Sequence, residues 1–145
     1  MKVREHMSQP AIWVSPTMSV AAATKLLHER RIRRLPVMDN HGILLGIVSE
    51  RDLLRVMPSS ATTLSVWEIP ELLDRLLVRE VMTRNVITVT PETPIQEAAR
   101  LMVENKIGGL PVEDPSGRVV GMITETDIFR VFCSFFADEE VVTSA

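Results

Sequence analysis

The sequence predicts an α/β fold in which two β-α-β-β-α units, related by a pseudo-twofold axis, pack through their small sheets. The first observation is an internal repeat: residues 3–57 align with 78–132 without a gap, with 21 identities in 55 positions. The second is that each copy contains short β-rich runs, typical of strands, together with an amphipathic run that is typical of a helix. The third is length, because 145 residues make one ordinary domain or two small units that share a core. Two copies favour a pair over a solenoid.

Each copy is predicted to open with a short strand followed by a helix. β-Branched and apolar residues at 11–14 and 86–89 predict the strands, and a proline closely follows each one. In the second copy Thr93 is the expected N-cap, with Pro94 at the first helical position. The first copy keeps the apolar stripe of the helix, but its cap at Ser19 is expected to be the weaker one.

The second half of each copy is predicted to be two strands and a helix. The Leu-Pro-Val runs at 35–37 and 110–112 begin strands, with proline near the start, where a missing donor is tolerated. Gly42 and Gly117 lie in the turns that follow. The next strands are expected at 43–48 and 119–123, and the final helices are expected to begin after the N-caps Ser49 and Thr124.

The repeats define the expected domain organisation. Repeat 1 covers 3–57, a linker with a helix from about Ser65 covers 58–77, repeat 2 covers 78–132, and a tail covers 133–145. The apolar end of repeat 2, Phe132 to Phe136, is interpreted as a helix end that covers the core or contacts a second copy.

Charge is unevenly distributed along the chain. The net charge is −3, yet residues 1–57 hold nine Lys and Arg against five acids, and the remainder is acidic. An acidic chain without exposed-aromatic spacing argues against nucleic-acid binding. No apolar run is long enough for a membrane span or a secretory signal, so a cytoplasmic location is expected. A single cysteine, Cys133, and three scattered histidines exclude an internal disulfide and a zinc cluster.

Two in-register motifs connect the sequence to a known family. Gly46–Leu53 and Gly121–Ile128 share the pattern of Gly, two apolar residues, Ser or Thr, two variable residues, Asp and an apolar residue. With the Leu-Pro-Val runs, they make the chain resemble a tandem pair of CBS domains, a Bateman module. It is similar to stand-alone bacterial CBS-pair and acetoin-utilisation-type proteins. Some of those carry a further C-terminal domain, which is not expected in the 13 residues that remain here.

The resemblance implies a non-catalytic sensor that binds adenosine compounds in clefts between the repeats: AMP, ADP, ATP, or also NAD or S-adenosylmethionine. No cofactor would be required, and a homodimer and an unidentified regulated protein are implied as partners. Asp52 and Asp127 would accept hydrogen bonds from a ribose diol. Ser49 and Thr124 would contact a phosphate or ribose oxygen. A Ser and an Asp three residues apart are also what plain helix capping produces, and this alternative stays open.

Arginines next to the first Leu-Pro-Val strand are candidate phosphate ligands. In the family this place often holds a basic residue, and Arg33 and Arg34 match it, whereas Gly108 and Gly109 occupy it in repeat 2. Two equivalent phosphate sites are therefore not expected. Secondary candidates are Arg51, Arg55 and Arg130. The resemblance further implies an adenine pocket near Ile12, Val14, Pro36, Ile47, Val86, Thr88, Pro111 and Met122.

Two other functions compete with that of a ligand sensor. A structural module that dimerises without binding a nucleotide is the main alternative, because the apolar C-terminal run and the opposite charges of the halves suit self-association. An enzyme is disfavoured, since His6, His28 and His41 lie in unrelated settings and form no nucleophile-base pair.

Overall fold

The computed structural model describes residues 1–57 and 68–137, and these form the α/β arrangement that the sequence predicts. A short 3-10 turn at Val3–Glu5 precedes the first repeat. The helices are α1 (Val20–Arg30), α2 (Glu50–Arg55), α3 (Glu68–Arg75), α4 (Val78–Val81), α5 (Ile95–Asn105) and α6 (Glu125–Ser134), and the strands are β1 (Arg34–Met38), β2 (Leu44–Ser49), β3 (Gly109–Glu113) and β4 (Val119–Thr124). Residues 65–67 of the expected linker helix and residues 138–145 of the tail lie outside the described residues.

The strands form two separate two-stranded sheets, β1 with β2 and β3 with β4. The predicted first strand of each copy is reduced to one parallel bridge, Val14 to Val37 in the first and Val89 to Val112 in the second. The Leu-Pro-Val run explains this difference. Extending the parallel ladder by one more pair would require an N–H from Pro36 or Pro111, and proline has none.

The described chain forms two compact units, and neither is continuous in sequence. The first-repeat unit contains Ile12–Val86 with Gly117–Val119, and the second-repeat unit contains Met1–Ala11, Ile87–Ser116 and the chain from Val120. The segment that leads into each repeat, 1–11 or 76–86, therefore belongs to the unit built on the other repeat. We call these two stretches the lead segments.

Main-chain hydrogen bonds hold both lead segments in the same way. The N–H of Val3 donates to the carbonyl of Thr93, and the equivalent N–H of Val78 donates to Met18, both at 2.8 Å. The first N–H of α5 donates to Met1 at 3.0 Å, and that of α1 donates to Leu76 at 2.7 Å. Each long helix thus has its first orphan donor satisfied by a segment distant in sequence.

Each unit has its own hydrophobic core. In both cores a valine of the lead segment is fully buried together with the Leu-Pro-Val strand and the long helix. The first-repeat core consists of Val14, Val20, Ala23, Leu27, Leu35, Val37, Val48, Leu53 and Val78, and the second consists of Val3, Val89, Ile95, Ala98, Met102, Leu110, Val112, Ile123 and Val131. A lead segment is therefore part of the core that it joins.

The helix caps differ from the prediction. Ser19 accepts a hydrogen bond from the N–H of Ala22 and is a working N-cap. The prediction for the second copy is wrong: Pro94 is the N-cap position and makes no side-chain cap, so α5 begins at Ile95. The hydroxyl of Thr93 instead accepts from the N–H of Thr90 at 3.0 Å, so it closes the preceding turn.

Candidate functional site

The first candidate site lies where β2 ends and α2 begins. Asp52 Oδ2 accepts hydrogen bonds from the N–H and the hydroxyl of Ser49, at 2.8 and 2.9 Å, and the N–H of Asp52 donates back to Ser49 Oγ at 3.1 Å. The two residues form a reciprocal capping box. The Asp52 side chain is 11% exposed. Capping, the alternative left open by the sequence, is therefore a real role of this pair.

The second candidate site repeats the aspartate half of this geometry at the start of α6, where the Thr124 side chain makes no cap hydrogen bond. Asp127 Oδ2 accepts from the N–H of Thr124 at 2.9 Å and from its hydroxyl at 3.1 Å. Asp127 is 6% exposed and is the one buried charged residue among those the structure describes. A carboxylate is retained at this depth because its bonds to Thr124 compensate the loss of water.

The second carboxylate oxygen of each aspartate has a different environment. Asp52 Oδ1 lies 3.8 Å from Arg55 NH1, and Asp127 Oδ1 lies 3.6 Å from Arg130 NH1. Both arginines are largely exposed, and these distances are longer than a hydrogen bond. Capping therefore uses Oδ2, while Oδ1 keeps capacity to accept a hydroxyl. Capping and ligand binding are compatible roles for the same side chain.

The structure places the candidate phosphate ligands beside the first of these sites. The N–H of Glu50, the first residue of α2, donates to the carbonyl of Arg33 at 2.7 Å. Arg34 pairs directly with Ser49 across the β1–β2 ladder. Arg33 is exposed and Arg34 is half-buried. We call Arg33, Arg34, Ser49, Asp52 and the first turn of α2 with Arg55 the first corner.

The second-repeat unit has an equivalent corner without these cations. The N–H of Glu125 donates to the carbonyl of Gly108 at 2.9 Å, which reproduces the contact between Glu50 and Arg33. Gly108 is half-buried and Gly109 is buried. We call Gly108, Gly109, Thr124, Asp127 and the first turn of α6 with Arg130 the second corner. The backbone is the same in both corners, and the side chains differ.

The candidate adenine residues have mixed accessibility. Val14 is 1% exposed, and both of its backbone groups are engaged, its N–H with Pro36 and its carbonyl with the N–H of Met38. Pro36, Pro111 and Met122 are also buried, whereas Ile12, Ile47, Val86 and Thr88 are half-buried. The half-buried residues keep an exposed surface that a ligand could contact. The adenine pocket itself stays a prediction.

Sequence reasoning missed the contribution of the lead segments to these strands. Ser8 pairs with Met122 and Thr83 pairs with Ile47, in both cases through two main-chain hydrogen bonds of 2.8 to 3.0 Å. Ser8 and Thr83 are equivalent positions of the repeat, following the shared Val-Arg-Glu-x-Met run. That identity was the available signal, although a sequence repeat does not show which strand a segment joins.

Neither a metal-binding cluster nor a membrane-spanning helix is found among the described residues. Within 1–57 and 68–137 no group of three or more His, Cys, Asp and Glu side chains could hold an ion. The same part of the chain has no helix of the length and apolar character needed to cross a bilayer.

Comparison with known proteins identifies the family. The model of the CBS domain matches residues 3–59 and again 78–134. The chain belongs to the CBS domain family, as a tandem pair. A CBS domain-containing protein of Dictyostelium discoideum is 36% identical over 126 residues, covering 87% of each chain. An L-aspartate semialdehyde sulfurtransferase of Methanocaldococcus jannaschii is 34% identical over 130 residues, which is 90% of this chain and 23% of that protein.

Solved CBS pairs share the fold over nearly the whole chain. The CBS domain pair of protein MJ0100, in complex with 5′-methylthioadenosine and S-adenosyl-L-methionine, has a TM-score of 0.77 at 32% identity, covering 92% of this chain and 97% of that one. CBSX2 of Arabidopsis thaliana in complex with AMP has a TM-score of 0.77 at 30% identity, with the same coverage. A putative acetoin utilization protein of Vibrio cholerae has a TM-score of 0.79 at 31% identity, covering 97% and 96%. These relatives confirm the predicted family and fold class.

Proposed function

We propose that this CBS pair is a non-catalytic regulatory module that binds adenosyl compounds at its two corners. The observation that carries the proposal is that Asp52 and Asp127 cap their helices through Oδ2 alone, so that each keeps Oδ1 as an acceptor. Two similar CBS pairs have been solved with ligands that share an adenosine group. A ribose is the part of such ligands that a carboxylate recognises.

The remaining candidates supply the other groups that such a ligand would need. Ser49 and Thr124 offer hydroxyls next to the aspartates, Arg33 and Arg34 offer positive charge for a phosphate, and the half-buried apolar residues offer a surface for adenine. Regulation follows if the ligand binds one arrangement of the module, or of its complex with a partner, more tightly than another. The proposal includes a cytoplasmic homodimer, with AMP, ADP, ATP, NAD and S-adenosylmethionine as candidate ligands, and neither nucleic acid nor a membrane as a partner.

Isothermal titration tests the proposal directly. The chain is titrated with these five compounds and with 5′-methylthioadenosine, and at least one is expected to bind with micromolar to low-millimolar affinity. The variants Asp52→Asn and Asp127→Asn keep the shape of the side chain and its capping oxygen. Each is expected to weaken binding at its own corner by about tenfold or more, which is the effect of losing one charge-assisted hydrogen bond.

The matched control is Asp39→Asn, which changes another aspartate that accepts backbone hydrogen bonds, in the turn after β1. Its ligand affinity should equal that of the unmodified chain. The absence of both heat and thermal shift at millimolar concentrations of all six compounds would exclude the proposed function.

A second candidate function is assembly without a ligand. The exposed phenylalanines favour it: Phe129, Phe132 and Phe135 are 62 to 64% exposed, and Phe136 is 42% exposed. The rings of Phe132 and Phe136 make a tilted contact, with centroids 5.0 Å apart. An apolar cluster of this kind marks an interaction surface. Light scattering of the chain and of Phe129→Ser/Phe132→Ser, with and without ligand, separates the two functions: a dimer that depends on these residues and responds to no adenosyl compound favours assembly.

A further inference from the structure

The two corners have the same backbone but opposite charge. Four arginines and two carboxylates surround the first corner, whereas one arginine and two carboxylates surround the second. The cations are Arg33, Arg34, Arg51 and Arg55 in the first corner and Arg130 in the second, and the acids are Glu50 and Asp52 against Glu125 and Asp127. Gly108, Gly109 and Thr126 occupy the places of the three missing arginines.

This difference is one of charge and leaves the ribose-binding pair unchanged. The aspartates make equivalent bonds in the two corners, at 2.8 to 3.1 Å. The hydrogen bond from the first N–H of the helix is also similar. It measures 2.7 Å from Glu50 to the carbonyl of Arg33 and 2.9 Å from Glu125 to the carbonyl of Gly108. The carboxylate proposed to accept the ribose hydroxyls is therefore presented in the same way at both corners. Discrimination must come from what is attached to the adenosine.

We infer that the two corners select different classes of adenosyl compound, an inference that rests on the proposed function. The first corner takes adenosine with a 5′-phosphate, because a phosphate monoester carries about −1.5 to −2 charges at neutral pH and finds an excess of arginine there. The second corner takes adenosine whose 5′ substituent is neutral or cationic, such as a thioether or a sulfonium. A phosphate there would face an excess of carboxylate, with Asp127 buried and Arg130 exposed.

The consequence is a module that holds two ligand classes at once. The chain then responds to the balance between a nucleotide and a thioether or sulfonium metabolite rather than to one concentration. Binding at the first corner weakens as salt rises, because exposed arginines such as Arg33 and Arg55 are screened. Binding of an uncharged ligand at the second corner is insensitive to salt.

Paired titrations with AMP and 5′-methylthioadenosine test the selection. Asp52→Asn is expected to lower the affinity for AMP at least tenfold more than Asp127→Asn does, and Asp127→Asn is expected to do the same for 5′-methylthioadenosine. Arg33→Gln/Arg34→Gln is expected to lower the affinity for AMP at least tenfold more than that for 5′-methylthioadenosine. Arg30→Gln, which removes an exposed arginine at the end of α1, is the matched control and should leave this ratio unchanged.

A gain-of-function variant completes the test. Gly108 is outside the left-handed region that Gly42 and Gly117 adopt, and its carbonyl is bonded as that of Arg33 is. Gly108→Arg is therefore expected to raise the number of AMP bound per chain from one to two. Thr126→Arg, at an exposed position of α6 that matches Arg51, is a second variant that leaves the sheet unaltered.

Two results would overturn the selection and are distinguishable from each other. If both aspartate variants reduce the affinities for AMP and 5′-methylthioadenosine by the same factors, the corners do not discriminate, although the proposed function stands. If none of the six adenosyl compounds binds the folded chain, the proposed function fails together with the selection. Far-ultraviolet circular dichroism of each variant confirms that a lost affinity is not a lost fold.

Discussion

The two units share their main-chain interactions and differ in the side chains that surround them. In both, the N–H of an equivalent valine in the lead segment donates a hydrogen bond, and a carbonyl of the lead segment accepts one from the first N–H of the long helix. A further residue of the lead segment pairs with the middle of a strand. In the second-repeat unit, charges reinforce the lead segment: Lys2 and Arg4 contact Glu92 at 2.7 and 3.1 Å. The equivalent positions in the first-repeat unit are Leu77, Arg79 and Thr17, which cannot form this cluster.

The two repeats therefore share the main-chain contacts of the lead segments but differ in side-chain charge and in helix caps. The glycines in β2 and β4 illustrate the shared part. A Cβ on Gly46 would lie 2.7 Å from the carbonyl oxygen of Thr83, and one on Gly121 would lie 2.6 Å from that of Ser8. Both glycines are required because a lead segment lies directly against the strand.

The largest expected effect follows from these contacts. Gly46→Ala and Gly121→Ala should each lower the free energy of unfolding by about 1–3 kcal/mol, the usual cost of overpacking a close contact. Urea denaturation measures it, and the two losses should be similar because the two distances are similar.

A double variant separates backbone from side-chain crowding. Met82 also lies close to Gly46, with its Sδ 2.8 Å from the added Cβ. Gly46→Ala/Met82→Ala should therefore be no more stable than Gly46→Ala, because truncating the Met82 side chain leaves the Thr83 carbonyl in place. Unaltered stability of either glycine variant would contradict the docking of the lead segments.

A medium effect should distinguish the two long helices. Ser19→Ala removes the side-chain cap of α1 and is expected to cost about 1 kcal/mol of unfolding free energy. Thr93→Ala should cost less, because the Thr93 hydroxyl bonds an exposed turn and does not cap α5. Thermal denaturation compares the two, with Ser19→Asn as the control that retains an acceptor. An equal loss in both alanine variants would mean that α5 is capped as α1 is.

The smallest effect concerns the charge cluster of the second-repeat unit. The hydrogen bond from Lys2, aided by Arg4, lowers the pKa of Glu92 below its ordinary value of 4.5. A carboxyl group whose pKa is lower in the folded than in the unfolded chain stabilises the fold at pH values above its unfolded pKa. This stabilisation is lost as the pH falls through the folded pKa. Glu92→Gln should therefore be slightly less stable at pH 7. The difference should shrink as the pH falls below 4.5 and vanish once Glu92 is protonated in the folded protein. All partners are exposed, so high salt should reduce it too.

Much of the candidate site could be predicted, because its signals are local. Ser49 with Asp52 and Thr124 with Asp127 interact over three residues, so the spacing alone predicts their capping bonds. The position of Arg34 opposite Ser49 follows from the hairpin between β1 and β2, whose turn at Gly42 adopts a positive φ of 81°. The cap at Thr93 was mispredicted because its hydroxyl accepts from the N–H of Thr90 in the preceding turn and makes no cap to α5.

The sequence by itself determined the duplication, the order α-β-β-α that follows the first predicted strand of each repeat, and the charge difference between the corners, because these depend on residue type and short spacing. Tertiary structure decided which unit each lead segment joins and which carbonyls cover the first N–H groups of α1 and α5. Met1 and Ile95 are far apart in sequence, and no periodicity encodes such a partner. The unit that a lead segment joins is selected by the burial of Val3 or Val78 in a core built mainly from the other repeat.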